Sequence, residues 1–138
     1  SKVIVQPHVE TLSLNADALF KFNGSSFDDL LPKGRSELDQ LVSAIEVGYV
    51  SVNQIRLTGY TDRLGSNNYN YQLGLNRAQT VRNYLAQRGI SPEILSFTSA
   101  GESQPVTNGC YEVKDRQALQ ACLQPDRRVT VEISGTKK

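Results

Sequence analysis

One histidine, His8, and two cysteines, Cys110 and Cys122, are all the imidazole and thiol this 138-residue chain offers. So few nitrogen and sulfur ligands cannot assemble the usual zinc site, so no metal and no cofactor are expected. The cysteines do not form a C-x-x-C pair, which argues against a redox pair of the thioredoxin kind. A preponderance of one charge is missing too. Fifteen basic residues against 14 acidic leave a formal charge of +1, so there is no broad field to carry nonspecific nucleic-acid or anionic-membrane binding. Recognition must be local. No apolar run approaches the roughly 18–20 residues of a membrane helix, and no membrane insertion by this stretch is expected. With 38% hydrophobic residues and this length, the chain reads as one domain able to bury a core without metals.

What is present concentrates in Leu57 to Leu85, LTGYTDRLGSNNYNYQLGLNRAQTVRNYL. It opens as a strand in which Ile55, Leu57, Gly59 and Thr61 share one face by two-residue alternation, which puts Asp62 at the strand's C-terminal end. The polar run Arg63 to Asn68 breaks the pattern, and a helix follows with Ala78, Val81 and Leu85 at helical spacing. A helix start behind a tight loop favours an anion in front of it. Asn70 and Arg77 lie close to two turns apart, about 10.5 Å at a rise of roughly 1.5 Å per residue, and project from one face. Asp62 and Arg77 together suit a small zwitterion, the acid taking an ammonium and the planar guanidinium a carboxylate. The alternative is an Asp62–Arg77 ion pair that pins helix to strand.

This run resembles the OmpA-like peptidoglycan-binding domain of the OmpA and peptidoglycan-associated lipoprotein family, whose signature is approximately G-[H/Y]-T-D-x-x-G-x-x-x-Y-N-x-x-L-S-x-x-R-A-x-x-V-x-x-Y-L. Gly59, Tyr60, Thr61, Asp62, Gly65, Tyr69, Asn70, Leu73, Arg77, Ala78, Val81, Tyr84 and Leu85 fall in its order and spacing. The segments Leu19 to Asn23, Gly101 to Ser103 and Asp126 to Val129 extend the likeness over about Leu12 to Ile133. The departure is Gly74, where the family usually has Ser. The resemblance implies a periplasmic domain of a Gram-negative outer-membrane-associated protein that binds the stem peptide of peptidoglycan non-covalently through its diaminopimelate. Asp62 would take the ammonium and Arg77 the carboxylate, with loop amides at Leu64 and Gly65 assisting and Thr61 and Asn70 in the same site. The family has a polar residue at the position of Asn23, which either touches ligand or caps a turn. The resemblance also implies that the chain is part of a longer exported protein, since it starts at Ser1 without a leader. An envelope-protein partner or a homodimer remains open.

Taken in order, residues 1–10 read as linker or lead-in and residues 11–138 as the domain. Thr11 to Leu14 alternates as a short strand, and Phe20, Phe22 and Phe27 read as core. Pro32 opens a helix whose stripe is Leu38, Leu41, Val42 and Ile45, ended by Gly48. Val50 to Asn53 precedes the central strand. Gly89 suits a left-handed helix end with Ile90 in the accompanying contact, and Leu95 to Ser99 reads as a strand. Val113 to Leu123 is predicted helical. If Cys110 and Cys122 pair, they close a loop of about 13 residues and stabilise it by roughly 3 kcal/mol, outside the recognition stretch, so that their loss lowers stability without removing ligand binding; two free thiols are the alternative. In the last strand, Arg127 to Ser134, Arg127 shares the face of Val129, Val131 and Ile133 and points to the pocket, whereas Arg128 faces away as a solvated or ion-paired residue.

The fold expected is an α/β two-layer sandwich of βαβαβ type, a mixed sheet with helices on one face and a disulfide-closed insertion before the last strand. Catalysis is not expected, because no histidine lies near the site and no second acid pairs with Asp62. The rival to wall binding is a periplasmic adaptor for another envelope protein with a vestigial pocket, for which Gly74 is the only support.

Overall fold

A computed structural model describes residues 7–138. Strand β1, His8–Asn15, starts before the expected Thr11 and is followed by a one-turn helix α1, Ala16–Leu19; α2, Pro32–Gly48, leads into β2, Tyr49–Tyr60. Then come α3, Asn67–Gln87, β3, Leu95–Gly101, the short α4, Arg116–Cys122, and β4, Arg128–Lys137. The sheet order is β1-β4-β2-β3. β4 runs antiparallel between β1 and β2, pairing Val131 with both Leu12 and Leu57, while β2 and β3 are parallel through Ile55 and Leu95. The sheet is therefore mixed, as expected for two strand-helix-strand units with a returning strand inserted between them.

Alternation along β2 and β4 sends Ile55, Leu57, Val129, Val131 and Ile133 to one face, where they are buried against Leu38, Val42 and Ile45 of α2 and Ala78, Val81 and Leu85 of α3. Val50 to Asn53 belongs to β2 itself, with register shifts near Tyr49 and Val52. α3 begins at the side chain of Ser66, which accepts from the Tyr69 amide at 3.1 Å. It ends at Gly89, whose φ of 104° only glycine adopts freely, with the Ile90 amide donating back to the Leu85 carbonyl at 3.2 Å.

α3 crosses β2 in backbone contact. A Cβ on Gly59 would lie 1.9 Å from the Gly74 carbonyl oxygen, and one on Gly74 would lie 2.5 Å from Ser99 Oγ. Gly74 is thus a packing residue, and the space a serine side chain would enter here is filled by the Ser99 hydroxyl. That removes the support a lost pocket contact would have given the adaptor reading.

Three further sequence expectations shift. Phe20 is buried and Phe27 packs against the core, but Phe22 is 76% exposed, because the turn after Phe20 carries it out of the core. α4 is shorter than Val113 to Leu123; Asp115 caps it, accepting from the Ala118 amide at 2.9 Å. The last strand starts at Arg128, because Gln124–Asp126 makes a one-turn 3-10 helix whose end is Arg127. Cys110 and Cys122 are bonded to each other, closing the insertion.

Candidate functional site

At the C-terminal end of β2 the chain leaves the sheet through Thr61 and Asp62 and turns into α3. The Asp62 carboxylate organises this turn: Oδ1 accepts from the Leu64 amide at 3.0 Å, an aspartate turn of the usual kind. Gly65 completes it at φ 96°. Asn70, 2% exposed, stitches the loop from the first turns of α3, its Nδ2 lying 3.2 Å from the Asp62 carbonyl, 3.0 Å from that of Leu64 and 3.1 Å from Glu102 Oε1. Asn70 positions the loop, and the Leu64 amide is engaged in orienting Asp62.

In front of this turn lies a cleft of about 190 Å3, lined by all eight expected residues: Asn23, Thr61, Asp62, Leu64, Gly65, Asn70, Arg77 and Arg127. That volume is below the range of drug-sized ligand sites and suits a single amino-acid-sized group. Asp62 and Arg77 share the cleft without pairing with each other. Arg77, 3% exposed, donates from Nε to the Gly24 carbonyl at 2.8 Å and stacks its guanidinium 5.5 Å from the Phe20 ring centroid. Burial pulls its pKa down, opposed by the charge of Asp17. The Lys21–Gly24 turn that supplies this carbonyl places Asn23 at φ 57° and on the cleft wall, so Asn23 shapes the turn and borders the cleft at once. Two side-chain atoms are buried without a hydrogen-bond partner among the described residues, Thr61 Oγ1 and Arg77 Nη1, and both belong to cleft-lining residues.

Asp62 pairs with Arg127, whose Nη1 stands 2.8 Å from Asp62 Oδ2 and 3.0 Å from the Gln120 carbonyl. The other edge of the Arg127 guanidinium binds Asp17 through Nε and Nη2 at 3.0 and 2.8 Å. The hydrogen bond to Asp17 raises the pKa of Arg127 despite its burial. Asp17 is a second acid that sequence reasoning did not place beside Asp62, and Arg127 lies between the two. Arg128 points away, its Nη1 on the Asp126 carbonyl and Nη2 on that of Gln104, each at 3.0 Å, with its guanidinium 3.8 Å over the Tyr60 ring. It makes no ion pair among the described residues and is held by main-chain carbonyls.

Sequence reasoning also missed the contribution of the insertion. Arg116 and Gln120 of α4 line the cleft, so the disulfide-closed segment is part of the site's wall. Their spacing of four was a visible signal that the two share a helix face; that the face lines the cleft holding Asp62 was not visible. Asp126, 1% exposed, anchors the insertion by accepting from the amides of Val106 and Thr107 at 2.8 and 2.9 Å.

Comparison with known proteins follows the same lines. Outer membrane protein A of Shigella flexneri is 44% identical over 134 residues, covering 95% of this chain and 38% of that protein; the chain spans well under half of that relative's length. The periplasmic domain of Helicobacter pylori MotB superposes with a TM-score of 0.71 at 24% identity, covering 97% of this chain and 77% of the other. The peptidoglycan-associated lipoprotein from Burkholderia pseudomallei superposes with a TM-score of 0.61 at 24% identity, covering 88% of each chain. At that identity these two show a shared fold. The model of the OmpA family matches residues 19–120, which takes in the whole strand, turn and helix that build the cleft, and the chain therefore belongs to the OmpA family.

Proposed function

We propose that this chain is a cell-wall anchoring domain, periplasmic and part of an outer-membrane-associated protein, which binds peptidoglycan non-covalently through the diaminopimelate residue of a stem peptide. The observation that carries the reading is the cleft on which Asp62 and the nearly buried Arg77 stand without pairing with each other, Arg77 Nη1 and Thr61 Oγ1 of its lining residues being left without a hydrogen-bond partner among the described residues. Leaving such a group unsatisfied costs roughly 1–3 kcal/mol, and more where it is charged, so a ligand that supplies an acceptor recovers that energy. A ligand carboxylate fits Arg77. Its neighbouring ammonium fits Asp62, which has lone pairs left beyond those taken by Arg127 and the Leu64 amide. The family, and the name of the peptidoglycan-associated lipoprotein that shares the fold, agree with wall binding as the coarse activity.

An acid-base enzyme is a poor fit. The two carboxylates that line the cleft, Asp17 and Asp62, are both bound to the guanidinium of Arg127, which is not the free acid-and-base pair such an enzyme uses.

Sedimentation with purified sacculi tests the proposal. Asp62→Ala and Arg77→Ala should each lose binding by about 30-fold or more, the effect of truncating one side of a desolvated charged contact, while circular dichroism shows the fold retained. Release of soluble wall fragments by the parent domain would indicate an enzyme, and parent domain left in the supernatant would favour an adaptor. A folded variant of either kind pelleting like the parent would refute the site assignment.

A further inference from the structure

α4 lines the cleft together with the strand-turn-helix motif. Its C-terminal end is held there by three contacts: the Gln120 carbonyl on Arg127 Nη1, the bond from Cys122 to Cys110, and Leu123, which is 1% exposed. Arg116, one turn earlier than Gln120 on the same face, is thereby carried to the rim. It is exposed, lines the cleft, and makes no hydrogen bond or ion pair among the described residues. The other two cleft guanidiniums are both engaged, Arg77 by the Gly24 carbonyl and Arg127 by Asp17, Asp62 and Gln120.

The charges of the cleft do not balance. Three guanidiniums face two carboxylates, and both carboxylates are bound to one of the three. A zwitterionic group with one ammonium and one carboxylate leaves that excess unchanged. A stem peptide that ends at diaminopimelate carries a further carboxylate on the main-chain side of the same residue, and this neutralises it. We infer that Arg116 reads this second carboxylate, making the insertion a specificity determinant that favours peptides with both carboxylates free. The inference rests on the stem-peptide reading above. Arg116 is solvent-exposed, so its contribution is that of an exposed charge pair, about threefold to fivefold in affinity, and it fades as salt rises.

Calorimetric titration of the disulfide-bonded protein decides the matter, using two synthetic stem tripeptides that end in diaminopimelate, one with the main-chain carboxylate free and one with it amidated. Arg116→Gln is the matching variant, since glutamine keeps helix propensity at this exposed position and an unchanged melting temperature verifies the fold. The parent should prefer the free acid by about threefold to fivefold at low salt, with the preference shrinking as salt is added. Arg116→Gln should bind both peptides alike, at the parent's affinity for the amide. If the variant keeps the parent's preference, or weakens equally toward both peptides, the inference fails while the stem-peptide reading stands. If the parent binds neither peptide, both fall together.

Discussion

Arg127 shows what one side chain can join. It connects Asp17 at the start of α1, Asp62 beyond β2 and the Gln120 carbonyl in the insertion, although 110 positions separate it from Asp17. Asp62 and Arg77 were legible because both sit in one contiguous motif whose spacing fixes their relation. The Asp17–Arg127 contact was not, because it depends on how β1 and β4 pair in the finished sheet. A second residue-scale contact has a direct pH signature. The Tyr49 hydroxyl donates to Glu10 Oε1 at 2.6 Å, fastening β1 to β2 across β4. That donation lowers the pKa of Glu10 against the opposing effect of desolvation, with Lys137 helping, so this part of the stability is present above the ordinary carboxylate range and is lost as pH falls through the depressed value. Burial, followed by the bond to Glu10, raises Tyr49 from 10.0 to about 12, so its contribution is complete below its ordinary value and is lost as pH climbs toward the raised one. In an ultraviolet titration, a late step from Tyr49 near 12 is expected. Tyr49→Phe should remove that step and cost about 1 kcal/mol at neutral pH. A native titration curve without a late step would rule out the buried, hydrogen-bonded hydroxyl.

At the scale of elements, periodicity and caps located α2, α3 and the strands, because each is long enough for its pattern to show. The ends were less legible. The insertion has little apolar periodicity of its own; a disulfide, the Asp115 cap and the buried Asp126 hold it, and none of these sets a helix length in advance. The crossing of α3 over β2 was half legible: Gly74 was visible as a departure, but its cause required the backbone of Gly59 lying against it. That contact predicts that Gly59→Ala destabilises the domain by roughly 1–3 kcal/mol or more, the range for overpacking a filled interface. Gly74→Ser should also destabilise, and Ser99→Gly in the same chain should recover part of the loss, because Ser99 Oγ is the atom nearest the new Cβ. Urea denaturation of the three variants and the parent measures it. A Gly74→Ser protein as stable as the parent would show that the helix can lift from the sheet at little cost.

For the whole molecule, a net charge of +1 gives no long-range attraction to a polymer, so on the proposed reading selectivity is expected to come from the cleft. The cleft holds a carboxylate and a nearly buried guanidinium that do not pair with each other, and on the proposed stem-peptide reading they take the ammonium and the carboxylate of one ligand group. The far end of diaminopimelate supplies an ammonium and a carboxylate on one carbon, whereas lysine at the same stem position supplies the ammonium alone. Binding lysine would satisfy Asp62 and leave Arg77 Nη1 desolvated without an acceptor, a penalty of roughly 1–3 kcal/mol or more. Lysine-type stem peptides should therefore bind at least about tenfold more weakly, since 1.4 kcal/mol is tenfold, and amidating the far carboxylate of diaminopimelate should weaken binding in the same way. The same titration in Arg77→Lys separates the guanidinium's shape from its charge: the variant should lose most of the preference, because an ammonium cannot offer the paired donors of a planar fork. Equal affinities of the parent for the diaminopimelate and lysine peptides would mean that Arg77 serves the Gly24 turn and the Phe20 stack alone, and that recognition lies elsewhere on the surface.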